Sequence, residues 1–187
     1  MFRNLIFLFT GLIQIQSSAF AQKNERGIEH HYLMDLSTTE NPGCWINMDT
    51  RKQDSLQPGN FYSLTDITRP YGLGFESGIP DDLKKKNSYM EIRAKLRVTD
   101  TNQHILLVTE IRYRDSSVIW KGVNVAKMFG KAAAWVTIHD SLLIPSNLPP
   151  ESKIKIYIWN QDGKAEVDFD DLDIRFTIPR IPTYLVY

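Results

Sequence analysis

The chain has one cysteine, Cys44, and four histidines in 187 residues. A single thiol closes no intramolecular disulfide, so packing must hold the fold. Cys44 adjoins Trp45 and reads as a small buried hydrophobe. No His-Glu-x-x-His and no paired Cys/His spacing is present, which removes the usual zinc signatures. Excess charge of one sign is missing too: 22 basic residues meet 22 acidic ones. A nucleic-acid partner needs a basic excess or stripe, and neither is visible. Ten glycines and nine prolines are too few for a fibrous or low-complexity chain, while 42% hydrophobic residues suffice for one core.

Long apolar runs are lacking except at residues 5–15, LIFLFTGLIQI. That run follows Arg3, is too short to span a membrane, and leads to Ser18-Ala19-Phe20-Ala21. It reads as a secretory signal peptide (residues 1–21) cleaved between Ala21 and Gln22. The mature chain is then secreted or periplasmic, with no membrane span. Residues 22–30 are expected to be a flexible N-terminus, 31–178 one domain, and 179–187 a tail whose two prolines make it a poor central strand.

Signs of an enzyme fail one by one. Gly72-Leu73-Gly74-Phe75-Glu76-Ser77-Gly78 has one residue too many for a dinucleotide loop, and Pro80 stands where the helix would start. The same stretch misplaces Ser77 for a nucleophile elbow. Asp168 and Asp170 pair carboxylates, but on one crowded strand rather than across a cleft. No catalytic residue is expected.

What is abundant is alternation of period two. Residues 89–98 place Met90, Ile92, Ala94, Leu96 and Val98 on one face and Glu91, Arg93, Lys95 and Arg97 on the other. Further strands are predicted at 104–114, 118–125, 135–144, 153–160 and 165–178, with weaker ones at 32–36, 44–50 and 61–67. Asp100 to Gln103 and Asp162-Gly163 read as hairpin turns, the second a strong one. Short helices are predicted at 81–86 and 125–134, and Tyr71 falls in a Gly/Pro-rich loop. Eight or more strands at this spacing predict an all-β antiparallel two-sheet sandwich or barrel.

The last strand changes parity. Val167 and Phe169 share one face, whereas Leu172, Ile174 and Phe176 share the other. The apolar face survives only if a β-bulge at Asp170-Asp171 absorbs one residue. Four aspartates in six residues repel one another unless they face water or a hard cation such as Ca²⁺ neutralises them. Both readings stand at this point.

Taken together, Trp135-Val136 and Ile144-Pro145, then residues 154–160, then Phe169-Asp170-Asp171-Leu172-Asp173-Ile174 resemble the C-terminal half of galactose-binding-domain-like jelly rolls. These include carbohydrate-binding modules attached to many secreted bacterial glycosidases. Residues 57–64 resemble an earlier strand of the same modules and Tyr71-Gly72-Leu73-Gly74-Phe75 the stretch that follows it, and the likeness spans residues 33–176. It implies a two-sheet jelly roll with a structural Ca²⁺ between the N-terminal and last strands. Asp170 or Asp171 matches the acidic pair, and Asp35 is either out of register with the family's N-terminal acidic position or replaces it.

A sugar site needs exposed aromatic rings flanked by polar side chains. Trp120 follows a turn and shares strand parity with Asn124, and Tyr71 is the loop candidate. Glu110, Arg112 and Arg114 form a charged row able to read hydroxyls or an acidic sugar, or else a solvated face. Trp45, Trp135 and Trp159 are expected to pack in the core or at its rim. Two functions follow: an exported, non-catalytic module binding a poly- or oligosaccharide on a concave sheet face or loop rim, or a structural or protein-interaction sandwich of the bacterial cell envelope with no sugar site.

Overall fold

The computed structural model describes residues 26–34, 36, 43–55, 60–84, 87–164 and 166–179. The expected signal peptide, Asp35 and residues 180–187 of the tail lie outside them. Eleven strands are described: β1 (Arg26–Met34), β2 (Trp45–Ile46), β3 (Arg51–Gln53), β4 (Phe61–Thr65), β5 (Tyr71–Gly78), β6 (Ser88–Val98), β7 (Ile105–Tyr113), β8 (Ser116–Asn124), β9 (Trp135–Ile144), β10 (Lys153–Asn160) and β11 (Val167–Pro179).

They build two antiparallel sheets. Sheet I has the order β3-β4-β11-β6-β9, with β1 also paired to β11, and sheet II the order β2-β5-β10-β7-β8. From β4 onward the chain changes sheet at every connection but β7–β8, the path of a jelly roll. The inward residues of β6, β11, β7 and β10 meet between the sheets. Met90, Ile92, Leu96, Phe169, Leu172, Ile174 and Phe176 of sheet I and Leu107, Ile111, Ile154, Ile156 and Ile158 of sheet II are all at most 1% exposed. Tyr32 and Trp45 close on Phe75 at ring distances of 4.8 and 5.4 Å, so Trp45 packs in the core as expected.

The bulge lies where the parity change placed it. Asp170 opposes Lys95 and Asp173 opposes Arg93, so two residues of β11 face one of β6. Asp171 takes the left-handed conformation at φ 50°. Val167 and Phe169 thereby share the interior with Leu172, Ile174 and Phe176.

Other expectations are corrected. Asp162-Gly163 joins no hairpin: β10 belongs to sheet II and β11 to sheet I, so the turn is an arch over the core edge. The same holds for residues 100–103 between β6 and β7. Turn chemistry reverses the chain, but the hydrophobic face of the next strand decides which sheet receives it. The stretch around Tyr71 is a strand, because Leu73 and Phe75 each bury fully while their glycine neighbours let backbones close in. Residues 26–30, expected to be flexible, pair with β11, and the helix expected over 125–134 is a single 3₁₀ turn, Ala126–Met128. Among the described residues no helix is long and apolar enough to cross a membrane.

Candidate functional site

The inward isoleucines of β10 force Lys153, Lys155, Tyr157 and Trp159 onto the outer face of sheet II. On β7 the same alternation turns Leu106, Val108, Glu110 and Arg112 outward. Antiparallel register then sets these side chains in rows across the strands. Tyr71, Trp159, Leu106 and Asn124 make the first row, and Gly74, Tyr157, Val108 and Gly122 the second. Glu76, Lys155, Glu110 and Trp120 make the third. Lys153, Arg112 and Ser117 make the fourth. The face therefore grades from aromatic to charged along the strand direction.

The aromatic rows form one continuous strip. Tyr71 stacks on Trp159 at 6.1 Å with planes 22° apart, and meets Tyr157 edge-on at 5.8 Å. Trp120 lies close enough to act on the Tyr157 phenol: against the larger upward push of burial, its indole N–H, a donor only, draws the phenol's pKa down. Its six-membered ring lies along its own strand above Gly122, where a Cβ would come within 2.5 Å of the indole. Val108 shows what the rings cover, since it is fully buried although it faces away from the sandwich core. Tyr71 and Trp120 themselves stay about half exposed, at 48% and 50%. Burial, then the Glu110 carboxylate, pushes the Tyr157 phenol above its ordinary value, so the hydroxyl keeps its proton and can still donate.

A groove of about 270 Å³ runs beside the strip, lined by Asn47, Tyr71, Glu110, Arg112, Lys155 and Tyr157. Asn47, in the left-handed region at φ 59°, anchors its rim by donating to the Gly72 carbonyl at 2.8 Å. A wider hollow of about 500 Å³ continues past Arg112 to Arg114 and Lys153. Two carboxylates are shared among the cations there. Glu76 stands 3.5 Å from Lys153 and 3.9 Å from Lys155, and Glu110 stands 3.6 Å from Arg112.

The structure thus brings Tyr71, Glu110, Arg112, Trp120 and Asn124 onto one sheet face. Arg114 sits in the β7–β8 turn at φ 53°, its guanidinium 5.0 Å from the Tyr113 ring, at the charged end of the same face. Asn124 is at the margin, and its side-chain oxygen accepts the Ala126 N–H at 3.1 Å. Sequence reasoning passed over Tyr157 and Asn47, and assigned Trp159 to the core or its rim. Trp159 instead stands half-buried on this outer face, and Trp135 half-buried on the outer face of sheet I, 4.9 Å from the Arg97 guanidinium.

The aspartates of β11 do not gather at one point. Asp168 is bound by Arg97 at 2.6 Å, Asp171 stands 3.7 Å from Lys95, and Asp173 is held by Arg175 at 2.7 Å and His31 at 2.8 Å. Asp170 accepts the Asp171 N–H at 2.9 Å. Among the described residues no group of three His, Cys, Asp or Glu side chains is placed to hold a metal ion.

No family model matches the chain, and a search of curated proteins gives no match. Solved structures do resemble it. The CBM22-1 xylan-binding domain of Xyn10C from Paenibacillus barcinonensis is similar at TM-score 0.47 and 16% identity, over 80% of this chain and 95% of that one. The C-terminal CBM6 of LamC from Zobellia galactanivorans is similar at TM-score 0.39 and 8% identity, over 78% and 99%. A cyclase from Fischerella sp. TAU is similar at TM-score 0.43 and 9% identity, over 83% and 90%. The likeness is one of fold.

Proposed function

We propose that the outer face of sheet II binds a glycan without catalysis, in a protein exported after cleavage at Ala21. One observation carries the reading: Trp159, Tyr71 and Tyr157 form one aromatic cluster on a face turned away from the core, with Trp120 and charged donors and acceptors in the adjoining rows. A pyranose has an apolar face of C–H groups and an edge of hydroxyls. Flat rings stabilise the first, while Glu110, Arg112 and Lys155 can bond the second. The two carboxylates at this face are shared with cations, an arrangement that supports binding rather than hydrolysis.

The test is retention on gels containing soluble polysaccharides, neutral and acidic. Trp120→Ala removes a half-exposed ring and is expected to weaken retention about tenfold or more, with the melting temperature little changed. If no polysaccharide slows the wild-type protein, the glycan reading falls and an envelope interaction domain takes its place.

A structural Ca²⁺ on Asp35 with Asp170 and Asp171 is a separate proposal. The bulge supports it by turning the backbone at Asp171 out of the regular pleat. A site of that kind stabilises only the native state, so Ca²⁺ is expected to raise the melting temperature above that in chelator. An unchanged value removes the ion and leaves Lys95 as the counter-charge to Asp171.

A further inference from the structure

The charged end of the groove is built under electrostatic tension. Lys153 and Arg112 are directly opposite in the β10–β7 ladder and point to the same side. Like charges in that relation destabilise a sheet. Carboxylates could relieve them, but do so only loosely: Glu76 is 3.5 Å from Lys153 and Glu110 is 3.6 Å from Arg112. Elsewhere the same molecule makes tight pairs, such as Arg97–Asp168 at 2.6 Å and Lys121–Asp140 at 2.5 Å. The Arg112 Nε–H is moreover buried with no hydrogen-bond partner among the described residues. That Nε faces the Glu110 carboxylate at 3.6 Å, too far for a hydrogen bond, so the protein holds the guanidinium only weakly. The hollow into which this end opens, about 500 Å³, holds four cations (Arg112, Arg114, Lys153, Lys155) against three carboxylates (Glu76, Asp115, Glu151).

We propose that this end of the groove is a subsite for an oxyanion carried by the glycan, either a uronate carboxylate or a sulfate ester. The inference rests on the glycan-binding reading above and adds the chemical class of the sugar. Two oxygens of the anion accept from the two terminal nitrogens of the Arg112 guanidinium, the planar two-point contact for which arginine is suited. The negative charge also relieves the opposed pair of Lys153 and Arg112. The sugar ring then continues toward Tyr157 and Tyr71, two rows along the strands.

The mature protein is titrated calorimetrically at low salt with two matched pairs of polymers: polygalacturonate against its carboxyl-reduced form, and a sulfated galactan against its desulfated form. The charged member of one pair is expected to bind roughly tenfold or more tighter than its neutral counterpart, and the pair that responds names the anion. Lys153→Gln is expected to shrink that ratio while affinity for the neutral polymer stays near its wild-type value, and Arg112→Gln is expected to shrink it further while also weakening the neutral member. Trp120→Ala is expected to weaken charged and neutral members alike. Equal affinities within both pairs overturn the subsite and leave glycan binding intact. If no polymer binds, free D-glucuronate and inorganic sulfate are added while the Arg112 Nε resonance is followed by NMR. A shift lost in Lys153→Gln upholds the anion site without the polymer, and no shift overturns both readings.

Discussion

Asp168 and Asp173 lie five residues apart on one strand, yet burial and partners push their carboxyls in opposite directions. Burial of Asp168 outweighs the Arg97 hydrogen bond and raises its carboxyl above the ordinary value. At Asp173 burial also works upward, but the bonds from Arg175 and His31 together prevail and hold it low. A raised native pKa gives stability that is full below the unfolded value and lost as pH rises through the native one. A lowered native pKa gives stability present above the unfolded value and lost as pH falls through the native one. Urea unfolding at pH 4 and pH 7 therefore has opposite expected outcomes for the two asparagine variants. Relative to wild type, Asp168→Asn is costlier at pH 4 and Asp173→Asn is costlier at pH 7. A penalty that does not vary with pH at either site would contradict the assignment. At this scale the sequence showed most of the face: once Ile154, Ile156 and Ile158 point inward, Tyr157 and Trp159 must point outward. Trp159 escapes notice when the jelly-roll resemblance, which includes that position whatever the ligand, outweighs its parity. Arg97 as the partner of Asp168 was not legible, since their contact joins positions 71 residues apart.

Among the elements, β5 and β11 carry the most information. β5 was hidden because Gly72 and Gly74 resemble loop residues, whereas here they permit close approach. A Cβ on Gly74 would lie 2.5 Å from the Ile156 carbonyl oxygen and 3.0 Å from the Tyr157 Cβ. Gly74→Ala is thus expected to destabilise by about 1–3 kcal/mol, read as a lower urea midpoint, and to disturb the Tyr157 ring above it. β11 was legible in detail, because a strand with both halves buried betrays its bulge through parity alone. Deleting Asp171 restores simple alternation and keeps Val167, Phe169, Leu172, Ile174 and Phe176 on one face without a bulge, so a cooperative unfolding transition is the expected result in urea. Loss of that transition would show that the bulge does more than correct parity. Arches were misread as hairpins for a different reason. Asp162 meets His104 across the strand ends, its carboxylate accepting the backbone N–H at 2.9 Å, and Gly163 takes φ 62°. Those features serve either kind of turn, so short-range chemistry cannot tell which sheet comes next.

For the molecule as a whole, the two sheets divide the labour. Sheet I carries a lattice of ion pairs on its outer face, seen in Arg97–Asp168, Lys95–Asp171 and Arg175–Asp173. Sheet II leaves its outer face to aromatic rings and loosely paired charges. The all-β sandwich was readable because alternation persists over most of the chain, while the pairing order of the strands depends on long-range packing that no local window contains. One consequence concerns how the polypeptide is made. β11 is the last described strand, yet it is central to sheet I and touches β1, β4 and β6 at once. A ribosome emits every other partner first, so that half of the architecture has to wait, gapped, for its keystone. Translation halted before residue 167 is expected to yield insoluble or protease-sensitive product, readable by limited digestion. A sheet whose middle arrives last cannot lock shut before that final strand has been made.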